Sequence, residues 1–109
     1  MSTDWRWGRL IVDCMKRLRD MDACSVTFVD YEVIPDFTGS PEKMFVWFIC
    51  DTRALKLQFR DSALISCSAR LRGMALEAGF PETAAASLMT DVTSQEEIEA
   101  GGGRFYFFR

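Results

Sequence analysis

The sequence predicts a two-layer α+β fold, an antiparallel sheet with two main helices packed on one face, and three observations carry that expectation. Residues 44–50 are seven consecutive apolar side chains between Lys43 and Asp51. A run this short, rich in β-branched and aromatic side chains, reads as a strand. Strand side chains alternate, so Phe45, Trp47 and Ile49 face one way and Met44, Val46, Phe48 and Cys50 the other. Both faces are apolar, which marks the strand as central in its sheet. The second observation is a pair of apolar stripes at three- and four-residue spacing, in residues 3–21 and 62–78. The third is period-two alternation in residues 25–34 and 54–60, on either side of the central strand.

The first stripe is Trp7, Leu10, Ile11, Cys14, Leu18 and Met21, with Arg9, Asp13, Lys16, Arg17 and Asp20 largely off it. It predicts a helix over 3–21, with Ser2 or Thr3 as N-cap and Gly8 as a weak point near its start. Residues 25–34 then place Thr27, Val29, Tyr31 and Val33 on one strand face and Val26, Phe28, Asp30 and Glu32 on the other. Pro35 ends this strand, and residues 36–43, with Thr38, Gly39, Ser40 and Pro41, form a loop into the central strand.

After Cys50, Leu55, Leu57 and Phe59 alternate with Lys56, Gln58 and Arg60, which predicts a third strand over 54–60 joined to the second by a tight turn at 51–53. A single helix over 52–79 is the competing reading, and at ~1.5 Å per residue it would run ~42 Å, much longer than the strand beneath it. Asp61 or Ser62 then caps a helix to Ala78, buried through Leu64, Cys67 or Ser68, Leu71, Met74, Ala75 and Ala78. Gly79, Phe80 and Pro81 form a helix stop: a residue suited to the left-handed C′ position, an apolar residue and a proline. One helical turn at 82–87 and a short strand at 88–92 follow. Ser94 with Glu97 is a capping-box pair that opens a helix through Ala100. Three glycines break it, and residues 104–108 read as an aromatic terminal strand. The expected sheet is thus a three-stranded meander extended by one or two C-terminal strands.

With 109 residues, the chain fits one domain, 1–109, which buries roughly 65% of its unfolded surface without staples. No apolar run approaches a membrane span, and no signal-peptide core is visible, so the expectation is a cytoplasmic protein without membrane contact. The net charge of −3 argues against nucleic acid as a partner. That charge is unevenly spread: residues 1–24, 25–51, 52–80 and 81–109 sum to +1, −4, +3 and −3.

Absence of histidine excludes Ser/His/Asp and Cys/His nucleophilic systems and most zinc enzymes. The four cysteines, Cys14, Cys24, Cys50 and Cys67, match no zinc or redox spacing and read as reduced, mostly buried thiols. Cys50 is the best nucleophile candidate, but Asp51 beside it would raise its pKa and no base is evident, so a packed thiol is the ordinary reading. The three glycines follow a helix rather than precede one, which fits a helix stop and not a phosphate loop. Asp30 and Glu32, two apart on one strand face, are an acid/base pair in form, but a solvated strand face is the ordinary reading. Arg53, Lys56, Arg60, Arg70 and Arg72 could meet an anion, or simply water.

No cofactor or metal is implied. The expected function is a small non-catalytic protein-interaction module, of inhibitor, immunity or adaptor type, binding a protein partner or itself as a homodimer. Its surface would be an aromatic sheet face rimmed by acid and base: Asp30, Glu32, Trp47, Lys56, Arg60, Phe105 and Phe107. The alternative is a ligand-binding domain or small enzyme using carboxylates and arginines near Cys50. Within the interface reading, the aromatic C-terminus either joins the contact surface or folds back and covers the sheet itself.

Overall fold

The doubly apolar strand is indeed the middle of a three-stranded sheet in the computed structural model, which describes residues 5–21, 28–36 and 38–108. The chain runs α1 (Arg6–Asp20), β1 (Asp30–Ile34), a 3-10 turn (Pro41–Lys43), β2 (Phe45–Cys50), α2 (Arg53–Ser62), α3 (Leu64–Glu77), α4 (Glu82–Ser87), β3 (Met89–Ser94), α5 (Gln95–Ala100) and α6 (Arg104–Phe107). The strand order is β1-β2-β3, with β1 antiparallel and β3 parallel to β2. The fold is therefore α+β, but its sheet is mixed and not an antiparallel meander.

The difference originates in residues 54–60, which are helical rather than extended. Every residue from Arg53 to Ser62 lacks a branched Cβ, and Ala, Leu, Lys, Gln and Arg are strong helix formers. Thr52 caps the helix, its Oγ1 accepting a hydrogen bond from the Leu55 amide at 3.2 Å. Leu55 and Phe59 lie one turn apart and point inward, whereas Leu57 is 47% exposed. The alternation of apolar residues was a coincidence of helical spacing with one outlying leucine. Nor is the helix continuous: it breaks at Ala63 (φ −125°, ψ −23°) before α3 begins. The α2-α3-α4 excursion carries the chain back to the start of β2, so the next strand enters alongside it in parallel, Phe45 opposite Met89 and Cys50 opposite Ser94.

The helix stop after α3 has the expected geometry. Gly79 has φ +100°, the Phe80 amide donates to the Ala75 carbonyl at 2.9 Å, and the Gly79 amide to that of Leu76 at 3.1 Å. Together these form a Schellman motif, with the Phe80 ring folded into the core. Helix α3 buries Cys67, Ser68, Leu71, Met74 and Ala75, while Ala78 is exposed. Helix α1 buries Ile11, Cys14 and Leu18 as expected, adds Met15, and leaves Met21 in solvent. Its predicted caps, Ser2 and Thr3, lie outside the described residues, as do residues 25–27 of the first predicted strand.

Helices α1, α2 and α3 cover one face of the sheet. Tyr31 and Val33 of β1, Val46, Phe48 and Cys50 of β2, and Val92 of β3 meet them there. The Ser68 and Thr90 hydroxyls hydrogen-bond at 2.9 Å across this interface. At its centre Phe48 packs against Phe28 and Phe59, with ring centroids 5.0 and 5.1 Å away. Phe28 reaches this layer because regular alternation begins only at Asp30; continued backward, the pleat would put it on the opposite face.

The terminal strand is also absent. Residues 104–107 form a single helical turn, in which the Phe107 amide donates to the Gly103 carbonyl at 3.0 Å. Gly102 and Gly103, at φ +92° and +97°, turn the chain back before it reaches a sheet edge. Among the described residues no helix is long and apolar enough to cross a membrane.

The helical assignment of residues 53–62 predicts unequal effects of two truncations that a strand would make alike. In urea unfolding, Phe59→Ala should cost about 3–5 kcal/mol through the cavity beside Phe48, and Leu57→Ala no more than about 0.5 kcal/mol.

Candidate functional site

The face of the sheet turned away from α1, α2 and α3 gathers the sequence-predicted site residues that the fold does bring together. Strand registers place three rows across it: Ile34-Phe45-Met89, Glu32-Trp47-Asp91 and Asp30-Ile49-Thr93. Ile49 is fully buried, Trp47, Phe45 and Ile34 are half-buried, and Met89 is 48% exposed. Phe45 and Trp47 lie 5.1 Å apart, centroid to centroid. An apolar centre thus sits among three carboxylates, those of Asp30, Glu32 and Asp91.

Helices α5 and α6 bring the C-terminus onto this face. Ser94 caps α5, its Oγ accepting from the Glu97 amide at 3.2 Å, as the capping-box pattern predicted. The reciprocal half of the box is replaced, because the Glu97 carboxylate turns instead to Lys56 Nζ (2.8 Å) and Thr93 Oγ1 (3.0 Å). After the glycine turn, Phe107 and Phe108 lie 6.1 and 5.7 Å from the Trp47 ring. Arg104 fits over β1. Its Nη1 donates to Asp30 Oδ2 at 2.6 Å, its Nη2 to the Tyr31 carbonyl at 2.6 Å and also to Glu32, and its Nε to Glu32 Oε2 at 2.9 Å. Burial works against the guanidinium's charge, but the hydrogen bonds and charges of Glu32 and Asp30 outweigh it and raise its pKa.

Of the residues predicted to form an interface, Asp30, Glu32, Trp47 and Phe107 share this face. Lys56 and Arg60 do not, and this corrects the expected basic rim. Both ride on α2, behind the opposite face of the sheet; Arg60 is exposed and Lys56 is committed to Glu97. The base that borders the face is Arg104, overlooked because residues 104–108 were read as a strand. Phe105 lies in α6, with its side chain outside the described part. The remaining arginines disperse as well: Arg72 donates to the Leu88 carbonyl at 2.9 Å, while Arg70 and Arg53 are exposed. A groove along α1 mixes Arg9, Lys16 and Arg17 with Asp13 and Asp20, the composition of a wet helix face.

Cys50 is fully buried beneath α2, and burial pushes its thiol up to about 11. The Cys14 thiol is raised too, first by burial. Cys14 and Cys50 are free, but Cys67 is disulfide-bonded, so the reduced-thiol reading fails there. Cys24 lies outside the described residues. Among the described residues no three acidic or cysteine side chains converge as a metal ion would require. No protein-family model, curated protein or solved structure matches this chain.

Two outcomes follow from these environments. Burial alone would raise the Glu97 pKa, but hydrogen bonds from Lys56 and Thr93 and the charges of Lys56 and Arg53 lower it below its ordinary value of 4.5. A depressed carboxylate stabilises the fold above its unfolded pKa and stops doing so as pH falls through the folded one. Glu97→Gln should therefore be less stable than wild type at pH 7, and the difference should shrink below about pH 4.5 in pH-dependent unfolding. A thiol displaced from 9.0 to about 11 carries roughly a hundredfold less thiolate at neutral pH. In the native protein Cys50 should therefore react with a maleimide at least that much more slowly than in urea.

Proposed function

We propose that this chain is a small non-catalytic protein-interaction module, of inhibitor, immunity or adaptor type. It meets a protein partner or a second copy through the outer face of its sheet. The observation that carries this reading is the Glu32-Trp47-Asp91 row: a half-buried tryptophan on a sheet face, flanked by carboxylates and extended by Phe45 and the exposed Met89. Aromatic centres with charged rims are the usual anatomy of contact surfaces, and tryptophan is over-represented among the residues that dominate binding. Three carboxylates on the face oppose a phosphate backbone, which favours protein over nucleic acid.

The alternative, a ligand-binding domain or enzyme using carboxylates and arginines near Cys50, draws no support from the thiol itself, which is sealed and has a raised pKa. A cytoplasmic location accompanies the proposal. The Cys67 disulfide is the feature that location must accommodate, since such bonds seldom persist in reducing compartments.

A photoreactive amino acid placed at position 89 tests the reading in the native host. Discrete adducts, to another protein or to a second copy, are expected from position 89 and not from position 60 on α2. Adducts from position 60 alone would move the interface to the helical side and overturn it.

A further inference from the structure

Resting on the interaction-module reading, we infer that the outer face is a receptor for a basic aromatic peptide segment, and that α6 is its built-in occupant, a latch that such a segment displaces. The recognised chemistry is an arginine followed three and four residues later by aromatic rings. In this structure the chain's own Arg104, Phe107 and Phe108 play those parts.

The seat is shaped for a guanidinium. Asp30 and Glu32 stand two residues apart on one strand face with the Tyr31 carbonyl between them, and Arg104 donates to all three through Nε, Nη1 and Nη2. That planar fork is available to arginine and not to lysine, whose donors radiate from a single point. Beside the seat, Trp47 offers its ring to two aromatic neighbours, whose own centroids are 4.9 Å apart.

Two features make α6 a replaceable occupant. First, it is a helix of four residues, far below the length that is stable alone, joined through three consecutive glycines. Among the described residues, the backbone amides of Phe107 and Phe108 donate within this turn, to Gly103 and Arg104, and α6 has no place in the strand order. Side-chain contacts hold it to the sheet, and its ion pairs remain 41% exposed on the arginine and 34% on each carboxylate, where water weakens them. Second, among the described residues the face keeps more negative than positive charge when α6 is docked. Arg104 answers Asp30 and Glu32, while Asp91, across Trp47, has no ion pair among the described residues. An incoming segment with more positive charge than α6 is thus favoured over it. Because the tether presents α6 at an effective concentration of about a millimolar, a free segment binds appreciably only when it is tight or the latch is weakened.

The test uses the full chain and a labelled peptide with the sequence of residues 101–109. Fluorescence anisotropy would compare wild type, Arg104→Ser, and Arg104→Ser combined with Asp30→Asn and Glu32→Gln. Circular dichroism would confirm that each is folded, and Arg104→Ser removes no buried ring. The expected result is binding at least tenfold tighter to Arg104→Ser than to wild type. It should be lost in the triple variant, lost with a peptide carrying Arg104→Glu, and weakened by salt. Equal affinity for wild type and Arg104→Ser, affinity that survives removal of both carboxylates, or no binding to folded Arg104→Ser would each overturn the inference. Adducts from position 89 do not depend on this peptide, so their persistence would leave the module reading standing while the latch fell.

Discussion

Phe48 is the side chain on which the rest of the structure depends. It lies on the middle strand, and its ring, that of Phe28 and that of Phe59 each contact the other two, so three separate segments share one set of ring contacts. Packing Phe59 there requires residues 53–62 to cross the sheet as a helix. Packing Phe28 there requires the chain before β1 to leave the regular pleat. Burying an aromatic ring is worth about 2–3 kcal/mol, more than the cost of one departure from regular strand geometry. The parallel arrangement of β2 and β3 follows from the same contacts, since a helical excursion ending near the start of β2 delivers the next strand in the same direction.

A strand apolar on both sides needs cover on both. The helices seal the Phe48 side. On the other side, Ile49 is sealed and Trp47 and Phe45 are only half covered, although a four-residue helix lies against the tryptophan. This asymmetry separates a sealed face from one that is only half covered.

Charge is divided along the same lines. The strongly negative segments of the sequence supply β1 and β3, which place Asp30, Glu32 and Asp91 on the outer face, whereas the arginine-rich segment 52–80 forms α2 and α3 on the opposite side of the sheet. Where the two signs meet, at Lys56 and Glu97, they pin α5 to α2 and so fix the point from which the chain turns onto the outer face. With the longer Arg53–Glu97 contact, this pair links the helical layer to the position of Arg104.

By itself the sequence determined the central strand and its two faces, the first helix and the third, the glycine stop, the Ser94 cap, and the placing of Asp30 and Glu32 on one strand face. Each rests on local physics: side-chain alternation, helical spacing, a positive φ, or a hydroxyl within reach of a free amide. Two further signals were legible and outweighed, the absence of branched Cβ atoms in residues 53–62 and the cap at Thr52, because three alternating apolar residues fit a strand as well as a helix. Only the tertiary structure decided between them, since burial of Phe59 against Phe48 and Phe28 is a contact across distant parts of the chain. The same holds for Arg104. Its residue type and its neighbours suggested a strand, and its role follows from two carboxylates more than seventy residues earlier in the sequence. Nothing in local sequence encodes the meeting of side chains that the fold brings together at long range.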